Sequence, residues 1–354
     1  MEERKIRVAI THGDTNGIGY EIILKAFEDS GMLELCTPII YGNPKIATYH
    51  RNALHLETPF TNIKNAEDAR PDKLNMLSAF DNEVKVEFGS STPESAEAAR
   101  KALQRAKEDL KNGLYDVLVQ APVVSSNTPD PNDKSLLIMF ANDIRIALVT
   151  NHLPLKDVAT SITSDKLVEK CRLLHTSLKR DFRINNPRIA VLALNPQLGA
   201  EEENIISPAL KTIEDEGIQA YGPYTANDFF GNDLQHNFDG VLAMYDDQGN
   251  APFKTLAHEY GVKMKAGFPF VITTPDQDPS FDIAGKGVAD PTSLRHAIYA
   301  AIDIFRNRTN YDEPLANPLP KLYHEKREDS EKARFAVRAK DQFKREDPVP
   351  KEDN

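Results

Sequence analysis

The stretch I-R-V-A-I-T-H-G-D-T-N-G-I-G, residues 6–19, decides the fold class. It begins with an apolar run typical of a β-strand at residues 6–10, continues with a glycine-rich loop, and enters a helical pattern at about Gly19. The next segment repeats this order, with an apolar run at residues 38–41 and a helix from about Pro44. Strands that alternate with helices predict an α/β fold with a mainly parallel sheet.

The same alternation runs along most of the chain. Further strands are predicted at residues 115–119, 136–140, 144–150, 188–194, 240–245 and 268–273, and a strong helix at residues 292–306. Residues 92–114 give the clearest helical pattern, because Thr92 can cap the helix and Pro93 suits its first turn. Apolar residues share one face of this helix: Ala99, Leu103, Ala106 and Leu110. Another helix, with Ser164 as its cap, has one apolar side: Leu167, Cys171, Leu174 and Leu178.

The length of 354 residues exceeds what one ordinary hydrophobic core accommodates, so two packed domains are expected. Periodicity is lost from about Asn307. Residues 324–354 are dominated by Lys, Arg, Glu and Asp, which is typical of a disordered, solvated tail.

The composition argues against several classes of function. A net charge of −11 without a basic stripe is unsuited to nucleic acid. No apolar run is long enough for a bilayer, no basic amphipathic face fits a membrane surface, and the N-terminus lacks the apolar core of a signal peptide, so a cytoplasmic protein is expected. Cys36 and Cys171 have no metal or redox spacing and are predicted to be buried apolar side chains.

Sites in α/β sheets lie at the C-terminal ends of strands, so the loops after the strands are the candidates. The loop at residues 11–19 either lets backbone N–H groups approach a phosphate or is a tight strand-to-helix turn. The motif T-N-H-L-P, residues 150–154, places His152 where a metal ligand or general base would lie, although a lone histidine is more often structural.

Three later loops carry further polar groups. L-N-P-Q-L-G, residues 194–199, directly follows a strand. M-Y-D-D-Q-G, residues 244–249, offers Asp246 and Asp247 to a hard divalent cation, or else forms a solvated turn. Lys254 follows and can hold a phosphate as a point charge. F-D-I-A-G-K-G-V-A-D-P, residues 281–291, can wrap a nucleotide or be an ordinary loop before the last helix.

In their order and spacing, T-H-G-D-T-N-G-I-G, T-N-H-L-P and M-Y-D-D-Q-G, supported by L-N-P-Q, resemble the 4-hydroxythreonine-4-phosphate dehydrogenase (PdxA) family of the vitamin B6 pathway, from about residue 6 to residue 306. D-I-A-G-K-G-V-A-D-P is similar to the cofactor loop of the wider isocitrate and isopropylmalate dehydrogenase group. The resemblance implies two α/β/α domains with a cleft between them. They would comprise residues 1–135 plus 275–323 and residues 136–274.

The resemblance also implies a homodimer that uses NAD, bound without the dinucleotide fingerprint, and a divalent metal: Mg, Mn, Co or Zn. The partner would be a small phosphorylated hydroxy acid, 4-phosphohydroxy-L-threonine, an intermediate of pyridoxine phosphate biosynthesis. A secondary alcohol next to a carboxylate would be oxidised and CO2 lost, with the metal acting as a Lewis acid.

The resemblance also implies roles for the residues of this chain that stand at the family's functional positions. The metal ligands would be His152, Gln197 and Asp246, where the family has three histidines, and this set shifts preference toward Mg or Mn. The other roles fall on catalytic His152 and Asp247, substrate-binding Lys254 and Lys263, and cofactor-binding Asp282, Gly285 and Asp290.

Several family contacts are replaced. Lys263 and Ile272 stand where the family has asparagine and arginine, and the motif G-H-T-E is absent after Pro122. Ile272 cannot bind an anion bidentately, and Asp278, in place of a glycine, would repel the phosphates of a dinucleotide.

These replacements leave two hypotheses. The chain is either a metal-assisted NAD dehydrogenase, acting on 4-phosphohydroxythreonine or on a 4-phosphorylated threonate or erythronate, or a catalytically silent paralogue that binds a ligand or pairs with an active homologue. Each lost contact is expected to lower the rate by about a hundredfold to a thousandfold, which favours the silent protein over the original reaction.

Overall fold

The computed structural model describes residues 4–80, 84–124 and 134–318 of the chain. Of these described residues, those up to Tyr311 belong to one compact unit and residues 312–318 belong to a second. The predicted tail, residues 324–354, lies outside the described residues, as do residues 125–133 of the shortened segment after Pro122. Among the described helices, none is both long enough and apolar enough to cross a bilayer.

Twelve strands are formed by the described residues. They are β1 (Ile6–Thr11), β2 (Cys36–Gly42), β3 (Thr61–Ile63), β4 (Asn75–Ser78), β5 (Val117–Gln120), β6 (Leu136–Ala141), β7 (Ile144–Leu148), β8 (Ile189–Leu192), β9 (Ala220–Tyr224), β10 (Gly240–Ala243), β11 (Val262–Ala266) and β12 (Val271–Pro275). Every strand predicted from an apolar run is confirmed, with ends shifted by a few residues. Four strands, β3, β4, β9 and β11, are not predicted from the sequence.

Ten α-helices accompany the strands in the same part of the chain. They are α1 (Gly19–Ala26), α2 (Gly31–Leu35), α3 (Pro44–Ala53), α4 (Pro93–Lys111), α5 (Leu155–Ser161), α6 (Ser164–Arg180), α7 (Ser207–Asp215), α8 (Ala226–Gly231), α9 (Asp246–Ala257) and α10 (Thr292–Ala316). The predicted end of the last helix at residue 306 is wrong, because α10 continues to Ala316. Its continuation is held by tertiary contacts, among them a hydrogen bond of 2.8 Å from the Asn307 amide to the Asp181 carbonyl.

All twelve strands join one sheet in the order β3-β4-β2-β1-β5-β12-β11-β6-β7-β10-β8-β9. The pairings are parallel except those of β11 with β12 and β6, and of β6 with β7. The predicted α/β fold with a mainly parallel sheet is confirmed. The domain limits at residues 135/136 and 274/275 stay a prediction.

Both faces of the sheet are buried, as parallel sheets require. Val8 and Ile10 of β1 lie in one hydrophobic cluster, while Ala9, between them, lies in another. On β7, Ala147 belongs to the first cluster and Ile146 to a third. Helices therefore cover both sides, and polar groups reach solvent at the strand ends. Cys36 and Cys171 are buried free thiols, as predicted.

The predicted faces of two helices are confirmed only in part. The buried positions of α4 are Ser95, Ala98, Ala102, Ala106, Asp109 and Leu110. Ala99 and Leu103 are only half-buried, because the buried face is centred on Ala98 and Ala102, one position round the helix. That face also carries Asp109, whose carboxylate accepts a hydrogen bond of 2.8 Å from Tyr41. The cap of α6 is Thr163 instead of Ser164, while its predicted apolar side is buried throughout.

Thr92 caps α4 as predicted, and its removal gives a first test. Its Oγ1 accepts from the Ser95 N–H at 3.2 Å, and the Ser95 Oγ accepts from the Thr92 N–H at 2.9 Å. We expect Thr92→Ala to lower the free energy of unfolding by about 1 kcal/mol in urea denaturation, because the Ser95 N–H at the helix end loses its side-chain acceptor. Thr212→Ala, at an exposed position inside α7, is the control. Equal losses in both variants would contradict the cap.

Candidate active site

Three neighbouring strands bring the predicted metal ligands to one edge of the sheet. β7, β10 and β8 are adjacent and mutually parallel, so their C-terminal ends coincide. His152 follows β7, Asp246 follows β10, and Gln197 follows β8. The pairing continues past β7, where the Thr150 hydroxyl donates a hydrogen bond of 2.7 Å to the Met244 carbonyl. These loops therefore leave the sheet side by side.

His152 and Asp246 are in direct contact. The His152 backbone N–H donates to Asp246 Oδ2 at 2.6 Å, and His152 Nδ1 lies 3.5 Å from the same oxygen. His152 has a left-handed backbone, φ 55°, and its side chain is 47% exposed. An imidazole and a carboxylate thus converge at a solvent-accessible point.

Asp246 occupies the first turn of α9, so the solvated-turn interpretation of M-Y-D-D-Q-G is wrong. The amide of Asn250 donates a hydrogen bond to Asp246 Oδ1. Asp246, Asn250 and Lys254 are spaced by four residues and lie on one face of α9, over about 12 Å of helix axis. The four-residue spacing is the sequence signal for Asn250, which is not among the predicted site residues. Asp247 is exposed in the same first turn.

The remaining residues of that motif attach α9 to the sheet. Gln248 is buried, accepts from the Met244 N–H at 2.7 Å and donates to the Ala193 carbonyl at 2.7 Å, so it ties the end of β10 to the end of β8. At Gly249 a Cβ would lie 2.5 Å from the Leu148 side chain. The glutamine and glycine are therefore needed for the close approach of α9 to these strands.

Gln197 lies exposed in a loop that a buried carboxylate holds in place. Glu202 accepts from the Asn195 N–H at 2.9 Å and from the Gly199 N–H at 2.8 Å. Burial opposes ionisation of Glu202, but these hydrogen bonds together outweigh it and lower its pKa. Within the described residues no group of three His, Cys, Asp or Glu side chains is placed to hold a metal. Gln197 as a third ligand stays a prediction.

Both predicted substrate lysines already face carboxylates. Lys254 Nζ lies 3.6 Å from Asp278 Oδ2, and the two side chains are 49% and 80% exposed. Lys263 Nζ lies 2.6 Å from Asp276 Oδ1, and Asp276 is buried. Their roles in substrate binding stay predictions.

The predicted cofactor loop rests on α1. Lys25 Nζ donates to the carbonyls of Gly287 and Ala289 at 2.9 and 2.8 Å, and the Ala289 N–H donates to Glu21 Oε1 at 2.9 Å. Glu21 and Lys25 are not among the predicted residues, although their spacing of four residues is that of an ordinary helical ion pair.

Two of the three predicted cofactor-binding residues, Gly285 and Asp290, make contacts that set the conformation of the loop. Gly285 has φ +78°, and a Cβ there would lie 2.7 Å from the Phe88 ring. Asp290 Oδ1 accepts from the Thr292 N–H at 2.7 Å at the start of α10, and the bonding to Thr292 lowers the pKa of Asp290. Asp282 is exposed. A role of the three in cofactor binding stays a prediction.

The glycine-rich loop after β1 is buried throughout, which favours the tight-turn interpretation. Gly13 has φ +76°, and a Cβ there would lie 2.4 Å from the Pro122 carbonyl oxygen. The Asp14 N–H donates to that carbonyl at 3.1 Å, so the loop packs against the segment after β5. Its backbone donors are turned into the fold.

Known proteins resemble the chain over nearly its full length. The family model described as pyridoxal phosphate biosynthetic protein PdxA matches residues 34–132 and 129–301. A 4-hydroxythreonine-4-phosphate dehydrogenase of Bacteroides thetaiotaomicron is 49% identical over 95% of this chain and 98% of its own length. One of Sulfurihydrogenibium sp. is 33% identical over 86% of this chain and 99% of its own.

A solved structure agrees with these sequence matches. The crystal structure of a 4-hydroxythreonine-4-phosphate dehydrogenase from Burkholderia phymatum superposes with a TM-score of 0.67 at 26% identity, covering 85% of this chain and 99% of that one. The wider fold is thus the one that the cofactor-loop resemblance implied. From the family match, the sequence relatives and this fold, the chain belongs to the PdxA family.

Proposed function

We propose that the chain is a cytoplasmic, homodimeric oxidoreductase of the PdxA type that oxidises a small phosphorylated hydroxy acid, 4-phosphohydroxythreonine, with NAD. The nearly full-length relative at 49% identity carries that activity in its name. The single observation that carries the proposal is the convergence of His152 and Asp246 where β7 and β10 end. Sites of α/β folds lie at such strand ends.

The donors at this point fit a hard divalent ion. His152 would supply an imidazole, Asp246 a carboxylate and Gln197 an amide oxygen, a set that shifts the preference from Zn toward harder ions such as Mg or Mn. Such an ion supplies Lewis-acid polarisation of the substrate's alcohol when it is bound. Asn250 orients the Asp246 carboxylate through its amide.

The other side chains of the site bind the substrate and move its proton. Lys254, on the same face of α9 as Asp246, would hold the phosphate, and Lys263 would contact the rest of the anion. The exposed Asp247 carboxylate would accept the proton of the alcohol. Asp282, Gly285 and Asp290 would border the NAD.

A second candidate is the catalytically silent paralogue that binds a ligand or pairs with an active homologue. The ion pair of Lys263 with the buried Asp276 favours it, because this predicted anion-binding cation is neutralised internally. A protein without this chemistry tolerates such neutralisation.

Turnover separates the two candidates. NADH formation is measured with 4-phosphohydroxythreonine, and in parallel with 4-phosphorylated threonate and erythronate, in the presence of Mg, Mn, Co or Zn. We expect turnover, fastest with Mg or Mn, and a loss of about a hundredfold to a thousandfold in His152→Ala, because the site loses a ligand of its electrophile. His236→Asn is the control, since His236 contacts Asp143 just before β7, at its opposite end.

No NADH from any substrate, together with no metal retained after dialysis, would exclude the dehydrogenase and leave the silent paralogue. Turnover that survives His152→Ala unchanged would show that the reaction uses another site.

A further inference from the structure

One carboxylate stands directly in front of the predicted phosphate-binding lysine. Asp278 lies just after β12, and its Oδ2 is 3.6 Å from Lys254 Nζ. Any anion that binds Lys254 must therefore replace Asp278 or accept it as a like-charged neighbour.

The backbone that presents Asp278 is fixed on both sides. Before it, the Asp276 N–H donates to the Gly261 carbonyl at 2.9 Å, and the Asp276 carboxylate pairs with Lys263. Next to it, the Gln277 amide donates to the Asp290 carbonyl at 3.0 Å. After it, the Ser280 hydroxyl donates to the Asp278 carbonyl at 3.1 Å. The carboxylate is thus held near Lys254 by anchored neighbours, while its own side chain, 80% exposed, can turn away.

The pair is weak enough for a ligand to open it. An exposed lysine–carboxylate pair contributes little to stability, since water screens it and a flexible lysine loses side-chain entropy in forming it. A phosphate dianion carries twice the charge of the carboxylate and so competes effectively for the ammonium group. A monoanion of similar size gains no such advantage over Asp278.

We propose that Asp278 is a specificity-determining residue, an internal carboxylate that competes for Lys254 and lowers its affinity for every anion, so that a strongly attracted, doubly charged phosphoryl group still binds while a singly charged carboxylate does not. The proposal deepens the proposed function, because it rests on Lys254 as the phosphate contact. The ion pair between Lys254 and Asp278 would thus select ligands by their charge.

Anion binding to the full-length protein tests this selection by charge without any turnover. Isothermal titration with inorganic phosphate and with acetate is carried out on the wild type, Asp278→Asn and the control Asp303→Asn, an exposed position on α10 that loses the same charge. We expect Asp278→Asn to bind phosphate about tenfold more tightly and to bind acetate measurably, with a smaller gain at high salt, because a neighbouring negative charge is removed. Asp303→Asn should match the wild type.

A double variant assigns the effect to the lysine. In the double variant Lys254→Met/Asp278→Asn the gain in phosphate affinity should vanish, because the lysine for which Asp278 and phosphate compete is no longer there. Equal phosphate affinities of the wild type and Asp278→Asn, no phosphate binding by either, or a gain that persists in the double variant would each overturn the proposal. The tenfold gain without any NADH formation would refute only the dehydrogenase, and turnover without the gain would refute only the role of Asp278.

Discussion

Replacement of Arg308 by methionine is expected to lower the free energy of unfolding by about 3–5 kcal/mol, because it leaves a buried carboxylate without its counterion. Arg308 on α10 is 7% exposed and Asp181 is 3% exposed. The Arg308 guanidinium donates two hydrogen bonds to the Asp181 carboxylate, from Nε to Oδ1 at 2.7 Å and from Nη2 to Oδ2 at 3.2 Å. Its Nη1 donates to the Phe268 carbonyl at 3.1 Å, so the loop before β12 is held by the same side chain.

Urea denaturation of matched variants measures this loss. Arg172→Met is the control, because Arg172 pairs with Glu216 on the surface, where the side chains are 54% and 31% exposed, and its loss should stay below about 1 kcal/mol. The double replacement of Arg308→Met with Asp181→Asn should recover part of the loss, since no unpaired charge then remains buried. Similar losses for Arg308→Met and Arg172→Met would refute a stabilising role of burial at this pair.

The Arg308–Asp181 pair also shows where sequence-based prediction stops. Apolar period and capping residues are local, and they gave β1, α1, α4 and the apolar side of α6. The two partners of the ion pair are 127 residues apart, and nothing in either neighbourhood indicates the other. The continuation of α10 past residue 306 is hidden from the sequence for the same reason, since Asn307 and Arg308 contact Asp181, which lies far away along the chain.

The candidate site could also be predicted only in part, because local motifs indicate its residues but not the long-range strand pairing that brings them together. Motifs that follow strands were expected near one another, and His152 and Asp246 do meet. Their meeting requires β7 to lie beside β10, a long-range pairing that no local pattern encodes. Asp278 was expected to repel phosphates, but its position opposite Lys254 follows from how the segment after β12 packs against α9.

Acidification is expected to destabilise the protein through two buried histidines, by up to about 2.7 kcal/mol per pH unit for two protons. Burial first, and then the neighbouring His50, lower the pKa of His12 from 6.5 to about 3. Burial lowers the pKa of His50 from 6.5 to about 4. His12 stacks on Tyr20 at 5.0 Å, and within the described residues neither of its ring nitrogens has a hydrogen-bond partner.

The direction of the effect follows from proton counting. Well above pH 6.5 both rings are neutral in the folded and the unfolded chain, and the full stability is present. Between pH 6.5 and about 4 the unfolded chain binds protons on both rings while the folded chain does not, so the free energy of unfolding falls with pH. Below about 4 the folded His50 also becomes protonated, and its share of the slope disappears.

Urea denaturation between about pH 5 and pH 7 measures the slope, and His50→Gln should reduce it by about half, because one of the two protons is removed. Glutamine suits the position, since His50 Nε2 lies 2.9 Å from the Thr15 carbonyl oxygen and an amide can donate there as well. His236→Asn, at a ring that is 52% exposed, should leave the slope in place. A His50→Gln slope equal to that of the wild type would assign the acid sensitivity to carboxylates instead, because their protonation does not depend on this ring.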